Sequence, residues 1–403
     1  MNMDTQIRET LREWAQEARV PPGLAGRALR RRRRRRFIHL GTGLMAVAAA
    51  VAVALILPGI RGGEAPTGTI RAGDPTSAPT DIQTDIQAIA DNAPPQRFVA
   101  AGRVAISAWS SWKYEDMADG YTVVHRTWHV YDPTTGTYLE VPYGVIAVAP
   151  GLRQAAVLEW PLPARRIGLL DLTTREVTAW IDLDHPVATV DWSPDGTKLL
   201  ATAYDRDPTS AKYRDKARTS STVPPIKRPG YYLVDAAARS AVFRSAPPPD
   251  EGFYTARPTP FQWSADGSRI SEMAPGKPGR IFYDLDGTTV PPPPGWSREQ
   301  QYMEAGFSPD GMLLAAAGAA PGPQTTVRDA ATGAIVGTQV MEQLVAWADN
   351  DHLIALKCAG TCKNEFSNAY VLVKVDGTEV AQLTGYRENS QKPGSWEPVF
   401  TLR

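Results

Sequence analysis

Cysteine is almost missing from this chain: Cys358 and Cys362 are the only two in 403 residues, too few for a disulfide scaffold. Histidine is scarce, with five in total, and none belongs to a His-Glu-x-x-His array. No Gly-x-Ser-x-Gly elbow, P-loop or dinucleotide fingerprint occurs. His125 and His129 stand four apart in a strand context, where they share a face but lie ~13 Å apart, too far to hold one metal. A metal site is not expected at the cysteines either, because His352, their nearest histidine, is separated from them by a strand. These shortages leave no catalytic residue, metal or cofactor to name. Net charge is lacking too, since 43 Lys and Arg balance 43 Asp and Glu, and no nucleic-acid partner is expected.

The neutral total hides an asymmetry. Residues 1–36 carry eleven Arg against four acids, whereas 97–403 carry 30 basic and 34 acidic residues. A cationic head on a mildly acidic body points to two compartments. Within the head, Ile7, Leu11, Trp14 and Ala18 recur at helical spacing over residues 4–18, with Asp4 or Thr5 as cap and Pro21-Pro22-Gly23 as stop. Leu11 and Trp14 are the candidates for docking a cytosolic protein partner, although a helix this short is marginal when uncovered.

Seven arginines, Arg30 to Arg36, precede residues 37–60, which carry no formal charge. About 20 apolar residues span a bilayer as a helix, and the arginine block holds its own side in the cytoplasm. The expectation is a single-pass signal-anchor in the cell membrane, N-terminus cytoplasmic, with residues 1–36 as the cytosolic head. A cleaved signal peptide is the competing reading, but the apolar stretch exceeds the usual ~7–15 residues. Residues 61–96, rich in Gly, Pro, Thr and Asp, read as a linker. Within them, Asp81-Ile82-Gln83-Thr84 and Asp85-Ile86-Gln87-Ala88 suggest a helical turn or two.

From residue 97 onward the pattern is β and repetitive. Trp192-Ser193-Pro194-Asp195-Gly196 returns as Trp263-Ser264-Ala265-Asp266-Gly267, as Phe307-Ser308-Pro309-Asp310-Gly311, and worn down as Trp347-Ala348-Asp349-Asn350-Asp351. Asp-Gly between short apolar runs marks a hairpin. A degraded copy falls near Val148-Ala149-Pro150-Gly151 and an obscure one near Phe98–Ser107. A second hairpin series turns around Asp132, Asp171, Asp235, Asp284, Asp329 and Asp376. Such alternation implies an all-β propeller over residues 97–403, with six blades and seven as the alternative. The strand at Glu397–Leu402 is placed to complete the first or last blade.

Trp-Ser-Pro-Asp-Gly followed by an apolar strand and then Tyr-x-x-Asp-x-x-Gly resembles the TolB-like and WD-repeat-like propellers over about three quarters of the chain. The resemblance implies a fold and little about function, since propellers host unrelated tasks. No Trp-Asp dipeptide closes the units, and the first unit lacks the phrase.

Blade order sorts the loops. Turns inside the two hairpin series are short and fall at one end of the ring. The long segments, among them Glu159–Arg166, Asp205–Pro229, Ser245–Pro260, Pro291–Met303 and Lys357–Asn368, fall at the other, where binding is expected. Asp205–Pro229 carries Arg206, Lys212, Arg214, Lys216, Arg218, Lys227 and Arg228 around Tyr213. It reads either as a cationic arm for a polyanionic envelope ligand or as a solvated insertion. Trp160, Tyr254 and Trp296 on the same end could hold a peptide or sugar or simply cover the ring. Cys358 and Cys362 suggest a small disulfide outside the cytoplasm.

The leading function is a binding, sensing or protein-interaction module at the cell envelope, not an enzyme. An anti-sigma-like signalling protein, an envelope scaffold, and a propeller lyase or lactonase acting on glycans or lactones are the alternatives.

Overall fold

The computed structural model of the chain describes residues 85–214, 218, 220–246, 258–274, 279–293, 296, 304–318, 324–360, 366–387 and 392–403. The expected cytosolic helix with Leu11 and Trp14, and the 37–60 span, lie outside the described residues. Among those residues no helix is long and apolar enough to cross a membrane.

Strands β1 (Ile86–Gln87), β2 (Ala100–Ala101), β3 (Val104–Asp116), β4 (Thr122–Asp132) and β5 (Thr137–Val141) pair in that order. Next comes a seven-stranded sheet. It contains β6 (Val145–Val148), β7 (Gln154–Leu158), β8 (Ala164–Asp171) and the 16-residue β9 (Val177–Trp192), and then β10 (Lys198–Ala203). A small hairpin, β11 (Lys212–Tyr213) with β12 (Ser221–Thr222), interrupts the order before β13 (Gly230–Asp235) and β14 (Ser240–Ser245) complete that sheet. Strand β9 serves two sets, because Val177–Asp182 pairs with β8 and Val187–Trp192 pairs with β10, Val187 also meeting Ala164 of β8.

A four-stranded sheet follows: β15 (Gln262–Trp263), β16 (Ile270–Met273), β17 (Arg280–Tyr283) and β18 (Thr289–Val290). Strands β19 (Leu313–Ala317), β20 (Thr325–Asp329) and β21 (Ile335–Gln339) form a three-stranded sheet, to which a bridge between Phe307 and Leu314 adds an inner contact. The last sheet holds β22 (Gln343–Trp347), β23 (His352–Cys358), β24 (Asn368–Lys374) and β25 (Glu379–Gln382). Finally β26 (Trp396–Leu402) returns to pair with β3.

Successive antiparallel meanders of this kind are propeller-like and all-β. The core lies between neighbouring sheets, as period-2 strands buried on both faces require. Ala108, Trp128 and Val130 of the first sheet pack on Ile146, Val157 and Leu170 of the second. Val104, Ile106 and Trp109 meet Ile354, Tyr370 and Leu372 of the last. That second contact closes the ring, and β26 supplies its strand to the first sheet.

The repeated phrase has one local structure. Ser193 Oγ donates to Asp195 Oδ1 at 2.5 Å and accepts from the Lys198 backbone at 2.9 Å, while the Gly196 N–H donates to the Ser193 carbonyl at 2.8 Å. Ser264–Asp266 and Ser308–Asp310 repeat the bonding. Gly196, with φ of 69°, occupies the left-handed region where a Cβ is costly. The worn copy keeps the turn through Asp349 Oδ1, which accepts from the Asp351 and His352 backbones, both at 2.8 Å. The tryptophan that opens the phrase ties its strand to a preceding segment of the chain. Trp192 Nε1 donates to the Ala147 carbonyl at 2.9 Å, Trp347 Nε1 to that of Gly306 at 3.1 Å, and Trp263 Nε1 reaches that of Asp191 at 3.4 Å.

Composition assigns residues 85–96 to the linker, yet they are fastened to the sheets. Strand β1 pairs with β2, Ile89 N–H donates to the Leu383 carbonyl at 2.9 Å, and Gly385 N–H donates to that of Asn92 at 2.9 Å. The expected helical turn at Asp85–Ala88 is strand at Ile86–Gln87, because the free edge of β2 supplies hydrogen bonds that a lone helical turn cannot match.

Candidate functional site

Short turns gather at one end of the ring, where they touch one another: Gly151 N–H donates to the Leu402 carbonyl and Arg103 N–H to that of Ala348, each at 2.9 Å. The long connections leave from the opposite end. There β3 and β4 outgrow their sheet, with 13 and 11 residues against five in β5, so their upper halves stand above it as a hairpin.

This hairpin gathers loops from three directions. The Asp205–Pro229 insertion crosses from β10 and adds itself to the open edge of β4, where Thr122 and Ala211 exchange two backbone hydrogen bonds of 2.8 and 2.9 Å. The Val124 N–H donates to Thr209 Oγ1 at 2.9 Å. Arg206 pairs with Asp119 at 3.0 Å and lies over the Tyr121 ring at 4.6 Å. Arg218 lies over Tyr114 at 4.2 Å and faces Asp116 at 3.7 Å, and Tyr213 meets Tyr114 edge-on. From the second sheet, Trp160 stacks on His125, with ring centroids 4.3 Å apart, and His125 bonds Glu115. On the far edge, the Gly394 N–H donates to the Trp112 carbonyl at 2.7 Å.

The sequence-predicted residues therefore divide. Arg206, Arg218, Tyr213 and Trp160 hold the loops to the hairpin. Arg228, read as part of a cationic arm, is buried instead: it pairs with Glu272, donates to the Thr259 carbonyl at 2.7 Å and lies over Phe261 at 4.1 Å. A guanidinium so far from water needs a carboxylate partner, and Glu272 in turn accepts from Tyr283. Lys212, Arg214 and Lys227 remain exposed. Trp296 packs edge-on against Phe282 at 5.2 Å. Cys358 is buried and disulfide-bonded. Lys216, Tyr254 and Cys362 lie outside the described residues.

Sequence reasoning missed the hairpin as an organising element, with Tyr114, Glu115, Asp116, Asp119, Thr122 and Thr209. Its signal was present: Asp119-Gly120 sits between two aromatic-rich runs. It also missed the polar groups at the starts of the inner strands. Glu397 pairs with Arg126 at 2.7 Å. Burial pushes the Glu304 carboxyl up, against a hydrogen bond from Gln343, and the Glu397 charge adds to the rise. Arg387 is buried, donating to Asn368 Oδ1 at 2.7 Å and to the Trp396 carbonyl at 3.0 Å. At the other end of an inner strand, Asp191 reaches solvent yet is hemmed in by protein. Desolvation pushes its carboxyl up to about 6, against a hydrogen bond from the Trp192 backbone. Among the described residues no three His, Cys, Asp or Glu side chains converge as metal ligands would.

The chain matches no protein-family profile and no curated protein sequence. Solved structures do resemble it. TolB from Acinetobacter baumannii is 16% identical with a TM-score of 0.39, over 74% of this chain and 67% of that one. The β-propeller domain of Cps50 (Swd1) from Myceliophteria thermophila is 10% identical with a TM-score of 0.38, over 78% of this chain and all of that one. Hydrazine synthase from Kuenenia stuttgartiensis is 14% identical with a TM-score of 0.34, over 60% and 68% of the two chains. TolB and a WD-repeat propeller are the two kinds of protein that the Trp-Ser-Pro-Asp-Gly phrase resembles, and at these identities no function passes from them to this chain.

Proposed function

We propose that this protein is a single-pass, membrane-anchored six-bladed propeller whose long-loop end binds an anionic envelope protein or polyanion. The anchor rests on Arg30–Arg36 followed by the uncharged 37–60 stretch. The blade count rests on dividing the seven-stranded sheet at β9 into two sets, which with the other four large sheets makes six. The binding role rests on one observation above all. The insertion is braced against the β3–β4 hairpin by Arg206 and Arg218, while Lys113, Lys212, Arg214 and Lys227 stay exposed on or beside it. Cations held on a rigid support attract an anion without the entropy cost of ordering a loop first. In this reading Cys358 and Cys362 form the disulfide that trims the β23–β24 loop.

Crosslinking and pull-down of the anchored full chain test the reading, with polyglutamate as the defined anionic probe. Binding should weaken as salt rises and fall at least tenfold in Lys212→Glu/Arg214→Glu. Probe binding that ignores both salt and the double substitution sinks the anionic-ligand reading. A mature N-terminus found near residue 65 removes the anchor.

A further inference from the structure

Where the first and last sheets meet, a cation is buried without a carboxylate. Arg387 Nε donates to Asn368 Oδ1 at 2.7 Å and its Nη1 to the Trp396 carbonyl at 3.0 Å. Its guanidinium carbon lies 5.4 Å from the Tyr370 ring centroid and 5.9 Å from that of Trp396. Arg387, Trp396 and Tyr370 are 6%, 5% and 7% exposed. Two donors go unused here. Among the described residues Arg387 Nη2 has no partner, and Trp396 Nε1 is buried with none. A buried N–H without an acceptor and a buried guanidinium without a carboxylate are both costly. One carboxylate accepting from the two removes both costs.

Opposite charge stands close by. Glu304 precedes Ala305, whose N–H donates to the Leu344 carbonyl of β22 at 3.1 Å. The Glu304 residue is exposed, yet burial pushes its carboxyl up against a hydrogen bond from Gln343, and the Glu397 charge adds to the rise. Such a carboxylate lines a narrow opening, reached by solvent and hemmed in by protein. Glu397 is paired with Arg126 at 2.7 Å, and Glu342 accepts from Asn368 Nδ2 at 3.2 Å. The Tyr370 hydroxyl lies in the field of all these groups. Burial pushes it up, Arg387 draws it down, and Glu304, Glu397 and Glu342 add to the rise. A bare anion is repelled by Glu304 and a bare cation by Arg387, whereas a molecule carrying both charges is attracted at each end.

We propose that this end of the ring binds a free α-amino acid as its zwitterion, the carboxylate on Arg387 and Trp396 and the ammonium on Glu304. The site uses no residue of the 205–229 insertion and is independent of what the insertion binds.

The test uses the full chain in detergent and equilibrium dialysis against radiolabelled glycine, L-alanine, L-lysine and L-phenylalanine, each up to about 10 mM. At least one of the four should bind. For that amino acid Glu304→Gln and Trp396→Phe should each raise the dissociation constant at least tenfold while keeping the wild-type circular dichroism spectrum. The phenylalanine keeps an aromatic ring and removes the N–H. Glu140→Gln, on the outer strand β5, should leave binding unchanged. Acetate and methylammonium carry one charge each and should fail to compete in about tenfold excess. Glu304→Gln should also leave polyglutamate binding as in wild type, so the two sites fail separately. The proposal is overturned if none of the four amino acids binds. It is overturned equally if binding survives both substitutions, or if acetate or methylammonium competes as well as the amino acid itself.

Discussion

Two aspartates show how differently one side chain can be treated by its surroundings. Asp132 sits at the end of β4. Desolvation pulls its carboxyl upward, but hydrogen bonds from Thr134, Thr135 and Arg175 outweigh it and hold the group down to about 2. A depressed folded-state pKa stabilises above the ordinary value of 3.8 and loses that stabilisation as pH falls toward 2. Asp132→Asn should therefore lower the melting temperature at pH 7, with the difference shrinking between pH 4 and 2. Asp191 has the opposite sign. Its carboxyl, raised to about 6, favours the protonated folded state, so stability is lost as pH rises from 4 through 6. Asp191→Asn should raise the melting temperature at pH 7.5 and do little at pH 3.5. A wild-type maximum at pH 7.5 with no gain in the variant would contradict the account.

At the scale of elements, the indole N–H groups of the repeated phrase bind their strands to carbonyls of preceding segments. Trp192→Phe and Trp347→Phe keep most of the buried ring but remove a hydrogen bond, so each should cost about 1 kcal/mol in denaturant unfolding. Trp263, with its longer bond and partial exposure, should cost less. The insertion is an element too. Arg206→Ala/Arg218→Ala removes two cations over aromatic rings and should loosen the loop without unfolding the ring. Faster proteolytic cleavage within 205–229, with an unchanged melting temperature, is the expected outcome. The repeat itself was legible because a turn needs specific residues at fixed places: Ser to accept and donate, Asp to receive, Gly for positive φ. The β3–β4 hairpin was overlooked because its strands are read with the same alternation as any others. The Asp119-Gly120 turn was legible, but the length of the strands beyond the paired β5 was not.

At the scale of the molecule, closure depends on β26. Seven of its residues pair with β3, and Trp396 is buried in the cluster that joins first and last sheets. Removing residues 396–403 opens the ring and exposes two sheet faces at once. Cooperative unfolding should be lost, with broadened thermal transitions and dye binding typical of exposed apolar surface.

The sequence by itself determined most of the strands from residue 97 onward, the repeated turns and the sorting of loops into short and long sets. Each of those depends on neighbours within a few residues, where periodicity and turn chemistry act. Only the tertiary structure decided which charges of the insertion remain free. Arg206, Arg218 and Arg228 look the same in sequence as Lys212, Arg214 and Lys227, and their fates depend on carboxylates and rings up to 104 residues away, Arg218 with Tyr114 being the farthest pair. Burial of a cation is set by partners that folding brings close, and local sequence carries no record of that distance.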